Sequence, residues 1–190
     1  MRTRDWAWDG GRPSLDFVNT YRDRKIGGRE LLREPEDLLA WLGLPEDLPL
    51  CPSPQESSVA GVTLLAQARE LREAICRCVD AAVAGENGFP EPINRWAARR
   101  QPSLVALGPD LSVVRLPPAD PVVAALAEIA SDAVELIGGP DLRQVRVCAS
   151  PTCGLRFADR SNAGTRQWCS MKRCGNREKV RLHRARRTEQ

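Results

Sequence analysis

Four cysteines near the end of the chain constrain its fold more than any other feature. They form two matching pairs, Cys148-x4-Cys153 and Cys169-x4-Cys174, with fifteen residues between the pairs. Structural zinc takes four ligands in a tetrahedron, most often cysteine thiolates in two close pairs separated by a longer loop. The spacing therefore predicts a zinc ion bound by these four cysteines. Because sulfur fills all four positions, no site is left for water, and the zinc is expected to be structural.

The segment that carries these cysteines has too little apolar surface to fold by burial alone. Its sizeable apolar side chains are Val145, Val147, Leu155, Phe157, Trp168, Met171, Val180 and Leu182. Burying them does not offset the conformational entropy that is lost when the whole segment becomes ordered. Zinc binding contributes about 10 kcal/mol or more in small zinc fingers. We therefore expect the ion to hold residues 143–190 together, with Phe157 and Trp168 packed under it. The alternative for Trp168 is stacking on a nucleic-acid base.

Charge is divided unevenly along the chain. Residues 143–190 contain 13 Lys and Arg against 3 Asp and Glu, a net charge of +10, whereas residues 1–142 contain 15 against 22, a net charge of −7. An acidic body joined to a basic tail is typical of proteins that bind nucleic acid or an acidic surface. Four thiolates around Zn²⁺ leave a net charge of about −2. Nearby cations are therefore favourable, and Arg156, Arg166 and Arg173 are the candidates.

The basic run after Cys174 predicts a helix that can lie along phosphates. In a helix Arg177, Arg181 and Arg184 form one row, and Val180 beside them is expected to dock the helix. Guanidinium groups suit phosphate oxygens and guanine edges. The candidate nucleic-acid contacts are Arg177, Lys179, Arg181, Arg184, Arg186 and Arg187. The alternative is a solvated, frayed C-terminus.

The rest of the chain is predicted to be mainly helical. Apolar residues that recur three and four positions apart indicate amphipathic helices with one buried face. They predict one helix beginning at Pro35 and others over residues 57–84, 91–100 and 121–137. The helix predicted over residues 57–84 is the longest, and we expect it to form the centre of the acidic body.

Strands are predicted at fewer positions. Two β-prone runs, residues 103–107 and 111–116, flank a Gly-Pro-Asp turn and predict a hairpin. Residues 14–18 alternate apolar and polar side chains and predict a short strand or an extended arm. The expected fold class is α+β, mainly α. A helical domain with a small hairpin over residues 1–142 is followed over residues 143–190 by a four-cysteine zinc finger, treble-clef-like, in which a hairpin precedes the basic helix.

Residues 1–142 contain no recognisable catalytic machinery. A nucleophile with its base, a phosphate-binding loop and paired carboxylates are all missing from the sequence, so we expect no enzymatic activity. Four polar residues have two interpretations, as the lining of a pocket for a small-molecule effector or as braces of the fold. They are Asp16, Asn19, Arg69 and Arg72.

The cysteines and the absence of a long apolar run favour a cytoplasmic protein without a membrane span. In a reducing compartment cysteines persist as thiols or metal thiolates, and seven is an odd number for disulfide pairing. The sequence has no run of about eighteen apolar residues, and its first residues lack the apolar core of a signal peptide. Cys51, Cys76 and Cys78 lie outside the zinc motif and are expected to be small packing residues.

Two stretches resemble a known family. Residues 168–179, WCSMKRCGNREK, resemble the signature of the CGNR zinc finger, and residues 15–20, LDFVNT, are similar to the opening motif of the ABATE domain. In that family the ABATE domain, described as a stress-induced transcription regulator, precedes the finger. The resemblance implies a zinc-binding protein that acts on transcription through nucleic acid, with the same four cysteines as ligands.

Three hypotheses about function follow from the sequence. In the first, the finger and basic helix bind DNA, or RNA, while the acidic body senses a signal or forms a homo-oligomer. In the second, the finger is a zinc-stabilised interaction module that recruits an acidic partner or docks on its own body. The third places an enzyme or a small-molecule sensor in the N-terminal domain. We favour the first because the basic charge is concentrated beside the metal motif.

Overall fold

A computed structural model describes residues 5–44, 54–102 and 104–188 of the protein. The side chains of residues 54–60, 182, 183 and 185–188 are outside this description. Cys51 lies outside the described residues, so its packing role stays a prediction. Mostly helices, with small antiparallel strand pairs, make up the described chain, which confirms the expected fold class.

Six α-helices and six short strands follow one another along the described chain. The helices are α1 (Pro13–Val18), α2 (Pro35–Trp41), α3 (Pro54–Ala84), α4 (Glu91–Ala97), α5 (Pro121–Gly138) and α6 (Asn176–Thr188). The strands are β1 (Tyr21–Arg22), β2 (Arg29–Glu30), β3 (Val105–Leu107), β4 (Val113–Arg115), β5 (Val145–Val147) and β6 (Arg156–Ala158). Short 3-10 turns span Arg24–Ile26 and Pro140–Gln144, and a π-helical turn spans Met171–Gly175. Consecutive strands pair antiparallel as β1–β2, β3–β4 and β5–β6.

Helix α3 is the centre of the body, as the sequence predicts. It contacts α1, α2, α4 and α5. Its buried apolar side chains recur at helical spacing and include Leu65, Ala68, Leu71, Ile75 and Val79. Cys76 and Cys78 are buried on the same helix as free thiols, in agreement with their predicted packing role. Val62, which the spacing places on the inner face, is exposed instead.

Residues 14–18 form part of helix α1, so the predicted strand is wrong. Pro13 stands at the first position of the helix, where its fixed φ suits helical backbone and its missing N–H costs nothing. The helix contacts α3, α5 and β6, and Ser14, Leu15, Phe17 and Val18 are all buried. Because the surrounding elements enclose this segment on several sides, residues that are consecutive in the sequence are buried together. The short alternation of apolar and polar residues therefore could not distinguish a strand from a helix.

The predicted hairpin is present as β3 and β4, with Leu107 paired to Val113 across the turn. Ser103, the first residue of the predicted run, lies outside the described residues. The following helix, α5, begins as predicted after Asp120, whose carboxylate accepts hydrogen bonds from the backbone N–H groups of Val122 and Val123. This is the arrangement of an N-terminal helix cap.

The finger and the body share one hydrophobic core. Val145 of β5 and Ala158 of β6 belong to the same buried cluster as the residues of α3 and α5. The backbone N–H of Ala158 donates to the carbonyl oxygen of Gly10 at 2.8 Å. The division at residue 142 stays a prediction, since packing and hydrogen bonds are continuous across it. The finger therefore gains burial from the body as well as from its own few apolar side chains.

Replacing Arg72 with alanine is expected to destabilise the body by about 3 kcal/mol. The Arg72 side chain is 3% exposed. It donates both terminal nitrogens to the Glu30 carboxylate, at 2.6 and 2.7 Å, and Nε to Glu73 at 2.9 Å. Its removal leaves the partly buried Glu30 carboxylate without its bidentate partner, whereas Glu73 keeps two hydrogen bonds from Arg24. Urea unfolding measures the change.

The matched control for that substitution is Arg77→Ala on the same helix, where the side chain is exposed. Surface substitutions of this kind change the free energy of unfolding by less than about 0.5 kcal/mol. Equal effects at positions 72 and 77 would show that the buried ion pairs do not brace the body.

Candidate functional site

The four predicted zinc ligands converge at one buried point. Cys148 follows β5, Cys153 precedes β6, Cys169 precedes the π-helical turn and Cys174 lies within it. All four sulfur atoms lie within 4.8 Å of one another. The Sγ of Cys169 is 3.8 Å from that of Cys153 and 3.7 Å from that of Cys174.

These sulfur separations fit a tetrahedral zinc site. Disulfide sulfurs are about 2.05 Å apart, so the cysteines are not bonded to each other. Four sulfurs placed about 2.3 Å from a central ion have edges of about 3.8 Å. Four soft thiolate donors in a tetrahedron select zinc over the oxygen-preferring cations. The site therefore binds structural Zn²⁺ through Cys148, Cys153, Cys169 and Cys174.

The crowded sulfurs also show why a cation is needed. Cys148 accepts S–H hydrogen bonds from Cys153 and Cys169, which lowers the pKa of the Cys148 thiol. Donation to Cys148 raises the pKa of Cys153 to about 12, and the same donation, together with burial, raises the pKa of Cys169. In the absence of a metal ion, protonated Cys153 and Cys169 thus stabilise a thiolate at Cys148. Four simultaneous thiolates require a positive ion at their centre.

A small apolar core surrounds the metal ligands. Leu155 and Phe157 are buried there, and Trp168 packs against them partly exposed, as the sequence predicts. Ala7 completes this core from the opposite end of the chain. Ala7 stands between Trp6 and Trp8, and nothing in this short stretch indicates a contact with a segment about 140 residues away.

The turn Arg24–Ile26 of the body forms hydrogen bonds with the backbone of the zinc-binding loop. The Nζ of Lys25 donates to the carbonyl oxygens of Cys148 and Ser150, at 2.6 and 3.0 Å. The backbone N–H of Arg24 donates to the carbonyl oxygen of Cys153 at 3.2 Å. Sequence reasoning missed both residues because these contacts join positions more than a hundred residues apart.

The three arginines that were expected to neutralise the thiolates have other partners. Arg156 donates to Asp80 of the body and to the carbonyl oxygen of Gly154. Arg166 donates to the carbonyl oxygen of Trp168 and lies over the Phe157 ring. Oxygen atoms are thus the direct partners of both guanidinium groups, and their part in neutralising the thiolates stays a prediction.

Arg173 contacts the N-terminal segment and also has an attractive charge interaction with Cys169, in agreement with its predicted role. Its guanidinium lies 3.3 Å from a carboxylate oxygen of Asp5 and 3.5 Å from one of Asp9. Together with the Arg156–Asp80 pair, these contacts use part of the tail's positive charge inside the molecule.

Helix α6 is anchored by Glu178. This carboxylate is buried, accepts a hydrogen bond from the Ser150 hydroxyl at 3.1 Å, and pairs with Arg181 at 2.7 Å. Val180, the expected docking residue, is half exposed, so that prediction is wrong. The contact is polar because the helix meets the zinc-binding loop through the Ser150 side chain.

A groove of about 570 Å³ separates α6 from the loop at Pro151 and Thr152. Arg177, Arg181 and Arg184 line it, in agreement with the predicted row. Lys179 is exposed on the same helix. The side chains of Arg186 and Arg187 are outside the described residues, so their roles stay predictions.

The four residues of the hypothetical effector pocket all contact the protein itself. Asn19 exchanges hydrogen bonds with the backbone of Arg156, which joins α1 to β6. Arg69 donates to the carbonyl oxygen of Leu32, and Arg72 binds Glu30. Asp16 accepts from the Gly10 N–H at 2.8 Å. These contacts favour the bracing interpretation over an effector pocket.

Two family models match the chain. The ABATE model, described as "putative stress-induced transcription regulator", matches residues 11–140, and the CGNR zinc finger model matches residues 144–187. A search of curated proteins finds no match. None of the helices in the described ranges combines the length and apolar character that a bilayer-spanning segment needs.

Zinc content is expected to depend on the cluster cysteines and not on the thiols of α3. The wild-type chain should hold one zinc ion, and Cys174→Ser should lose most of it because one of four ligands is gone. Cys78→Ser is the matched control, since this buried thiol lies outside the cluster. Elemental analysis gives the zinc content. Full zinc occupancy in Cys174→Ser would contradict the assignment.

Asp16→Asn is expected to stabilise the protein at pH 8 by about 1 kcal/mol, a value that allows for partial solvent exposure. Burial, with the nearby Asp9 and Asp132 carboxylates, raises the pKa of Asp16 from its ordinary value of 3.8 to about 6. The protonated form therefore stabilises the fold fully below about pH 4, and this contribution is lost as the pH rises through about 6. Asparagine keeps an acceptor for Gly10 without the charge.

The measurement for Asp16→Asn is urea unfolding at several pH values between 4 and 8. The variant should lose the part of the pH dependence that falls between about pH 4 and 6. Asp110→Asn is the control, because hydrogen bonds from Ser112 lower the pKa of this exposed carboxylate and it cannot give a gain at high pH. A pH profile unchanged from wild type would refute the role assigned to Asp16.

Proposed function

The chain belongs to the ABATE family and ends in a CGNR zinc finger, and from this premise we propose that it regulates transcription by binding DNA through the finger. The groove beside α6 carries the proposal. Three arginines line this groove, and one wall is a loop held in place by the zinc ligands.

The division of the tail's charge supports this proposal. Arg156 and Arg173 are bound to carboxylates of the N-terminal part. On α6, Arg177 and Lys179 are exposed to solvent. The arginines that stabilise the fold are thus different residues from the cations of α6 that are accessible to a partner. A row of guanidinium groups on one helix suits backbone phosphates and the fork geometry of guanine edges.

Zinc has a structural role in this proposal. Cys148 and Cys153 bracket the loop that contains Ser150, Pro151 and Thr152. Cys174 lies just before the first turn of α6. One ion therefore fixes both walls of the groove. Loss of zinc removes the binding surface without touching any proposed DNA contact.

The N-terminal domain is the proposed regulatory part. Lys25 and Arg24 bond to the backbone of the zinc-binding loop, so a change in the position of their turn would reach the groove directly. The proposal places the protein in the cytoplasm, where thiolates stay reduced. It assigns no enzymatic reaction to either part, in keeping with two family models that describe a regulator and a zinc finger.

A second candidate function is suggested by the internal ion pairs. The Arg156–Asp80 and Arg173–Asp5 pairs are what the self-docking hypothesis requires of a finger that acts as an interaction module. In that case α6 would contact an acidic protein instead of DNA. The two functions differ in one observable property, the affinity of the zinc-loaded protein for a duplex.

DNA affinity is expected to depend steeply on salt and on the cations of α6. Each lost phosphate contact should reduce the slope of log K against log salt by about 0.9. The triple variant Arg177→Gln, Lys179→Gln, Arg184→Gln should therefore lose up to about three times this value. Fluorescence anisotropy with a labelled duplex gives the slopes, and a single-stranded RNA of the same sequence tests the choice between DNA and RNA.

The matched control removes three exposed arginines of the body, with Arg77→Gln, Arg95→Gln and Arg99→Gln. It lowers the net charge equally but leaves α6 intact, so binding should stay close to wild type. Equal losses in the two triple variants would indicate only a general attraction of charge. Absence of duplex binding by the zinc-loaded protein at low salt would favour the interaction module.

A further inference from the structure

The β3–β4 hairpin is an apolar element with little cover. In the described part of the chain, its two strands pack substantially only against each other. Every residue of both strands is exposed. The exposed large apolar side chains of this hairpin are Leu104, Val105, Leu107, Leu111, Val113, Val114 and Leu116. A patch of this size on a folded protein marks an interaction surface.

Both faces of the hairpin are apolar. Side chains alternate along a strand, so Leu104, Val114 and Leu116 lie on one face and Val105 and Leu107 on the other. Within β3 and β4 only Arg115 is charged. An isolated two-stranded hairpin is marginally stable in water and needs further strands or a helix against it. Further strands against the hairpin would therefore stabilise it.

The outer edge of β3 can supply backbone pairing to that partner. Leu116 donates to the Leu104 carbonyl oxygen and Gly108 donates to that of Ser112, which fixes the hydrogen-bonded pairs of the hairpin. In an antiparallel ladder, residues of these pairs alternate with residues whose N–H and C=O groups point away from the neighbouring strand. On β3 the residues that point away from β4 are Val105 and Leu107.

We propose that a second copy of this chain covers the hairpin, with β3 pairing antiparallel to β3 of the other copy about a two-fold axis through Ala106. Val105 of each copy then exchanges two backbone hydrogen bonds with Leu107 of the other. The result is a four-stranded antiparallel sheet shared by a homodimer. Such an interface is isologous, so it closes at two copies and leaves no open edge for further growth on β3.

Self-pairing fits this edge better than pairing with a charged or polar partner. β3 has no charged side chain, so no electrostatic complement is selected, and the two-fold axis sets apolar Val105 opposite apolar Leu107 on the same face. The β4 edge is less suitable because it carries Arg115 and is followed by Pro117 and Pro118.

The β3 side also brings exposed apolar surface to this contact. Leu104, Val105 and Leu107 are each at least 59% exposed in the single chain, and pairing along β3 buries part of the Val105 and Leu107 side chains. The hairpin lies outside the finger, so this inference does not depend on nucleic-acid binding.

Light scattering coupled to size exclusion at micromolar concentration tests the inference. The wild-type chain should have about twice its chain mass of 21.0 kDa. Leu107→Glu should be monomeric, because it sets a charge into the shared sheet, while remaining folded because residue 107 is exposed in the single chain. Val62→Glu is the matched control, with a similarly exposed apolar residue on α3, and should remain dimeric.

A cross-linking experiment locates the two-fold axis. Two Ala106 residues on that axis form a non-hydrogen-bonded pair with Cα atoms about 4.5 Å apart, within the range that a disulfide spans. Ala106→Cys should therefore yield a covalent dimer under mild oxidation, whereas wild type and Val62→Cys should not. A monomeric wild type, a dimeric Leu107→Glu variant or an Ala106→Cys variant that does not cross-link would each overturn the proposal.

Discussion

Attraction between four buried thiolates and one divalent cation is the interaction on which the C-terminal part of the fold depends. The sulfurs lie within 4.8 Å of one another and compete for protons when no cation is present. Zinc removes that conflict and fixes the ends of two loops at one point. The start of α6, its anchor Glu178 and the groove beside it all follow from the position of that point.

The metal site is not an independent module, because the body surrounds it. Ala7 enters its small core, Lys25 bonds to the loop between the first two ligands, and Asn19 bonds to β6. These contacts explain how a segment with few apolar residues folds. Packing against the acidic body stabilises it in addition to zinc binding. Lys25 and Arg24 also join the N-terminal part of the chain by direct hydrogen bonds to the loop that forms one wall of the groove.

Charge has several distinct uses in this chain. Arg72 pairs with Glu30 inside the body, Arg156 and Arg173 attach the finger to the body, and the cations of α6 face solvent or the groove. The net charge of +10 that the sequence gives residues 143–190 is therefore an upper bound on the charge available to a partner. Apolar surface shows a similar division, since most of it is buried around α3 while the β3–β4 hairpin keeps its apolar side chains exposed.

The sequence by itself determined the features that depend on near neighbours. Cysteine spacing identified the zinc ligands, and helical period identified α3 and α5. Tertiary structure alone decided that residues 14–18 are helical, that Glu178 anchors α6 where Val180 was expected, and that Lys25 bonds to the zinc-binding loop. The physical reason is distance along the chain. Spacing records geometry within a few turns, whereas enclosure by α3 and α5 and contacts between residues far apart in sequence exist only after the chain has folded.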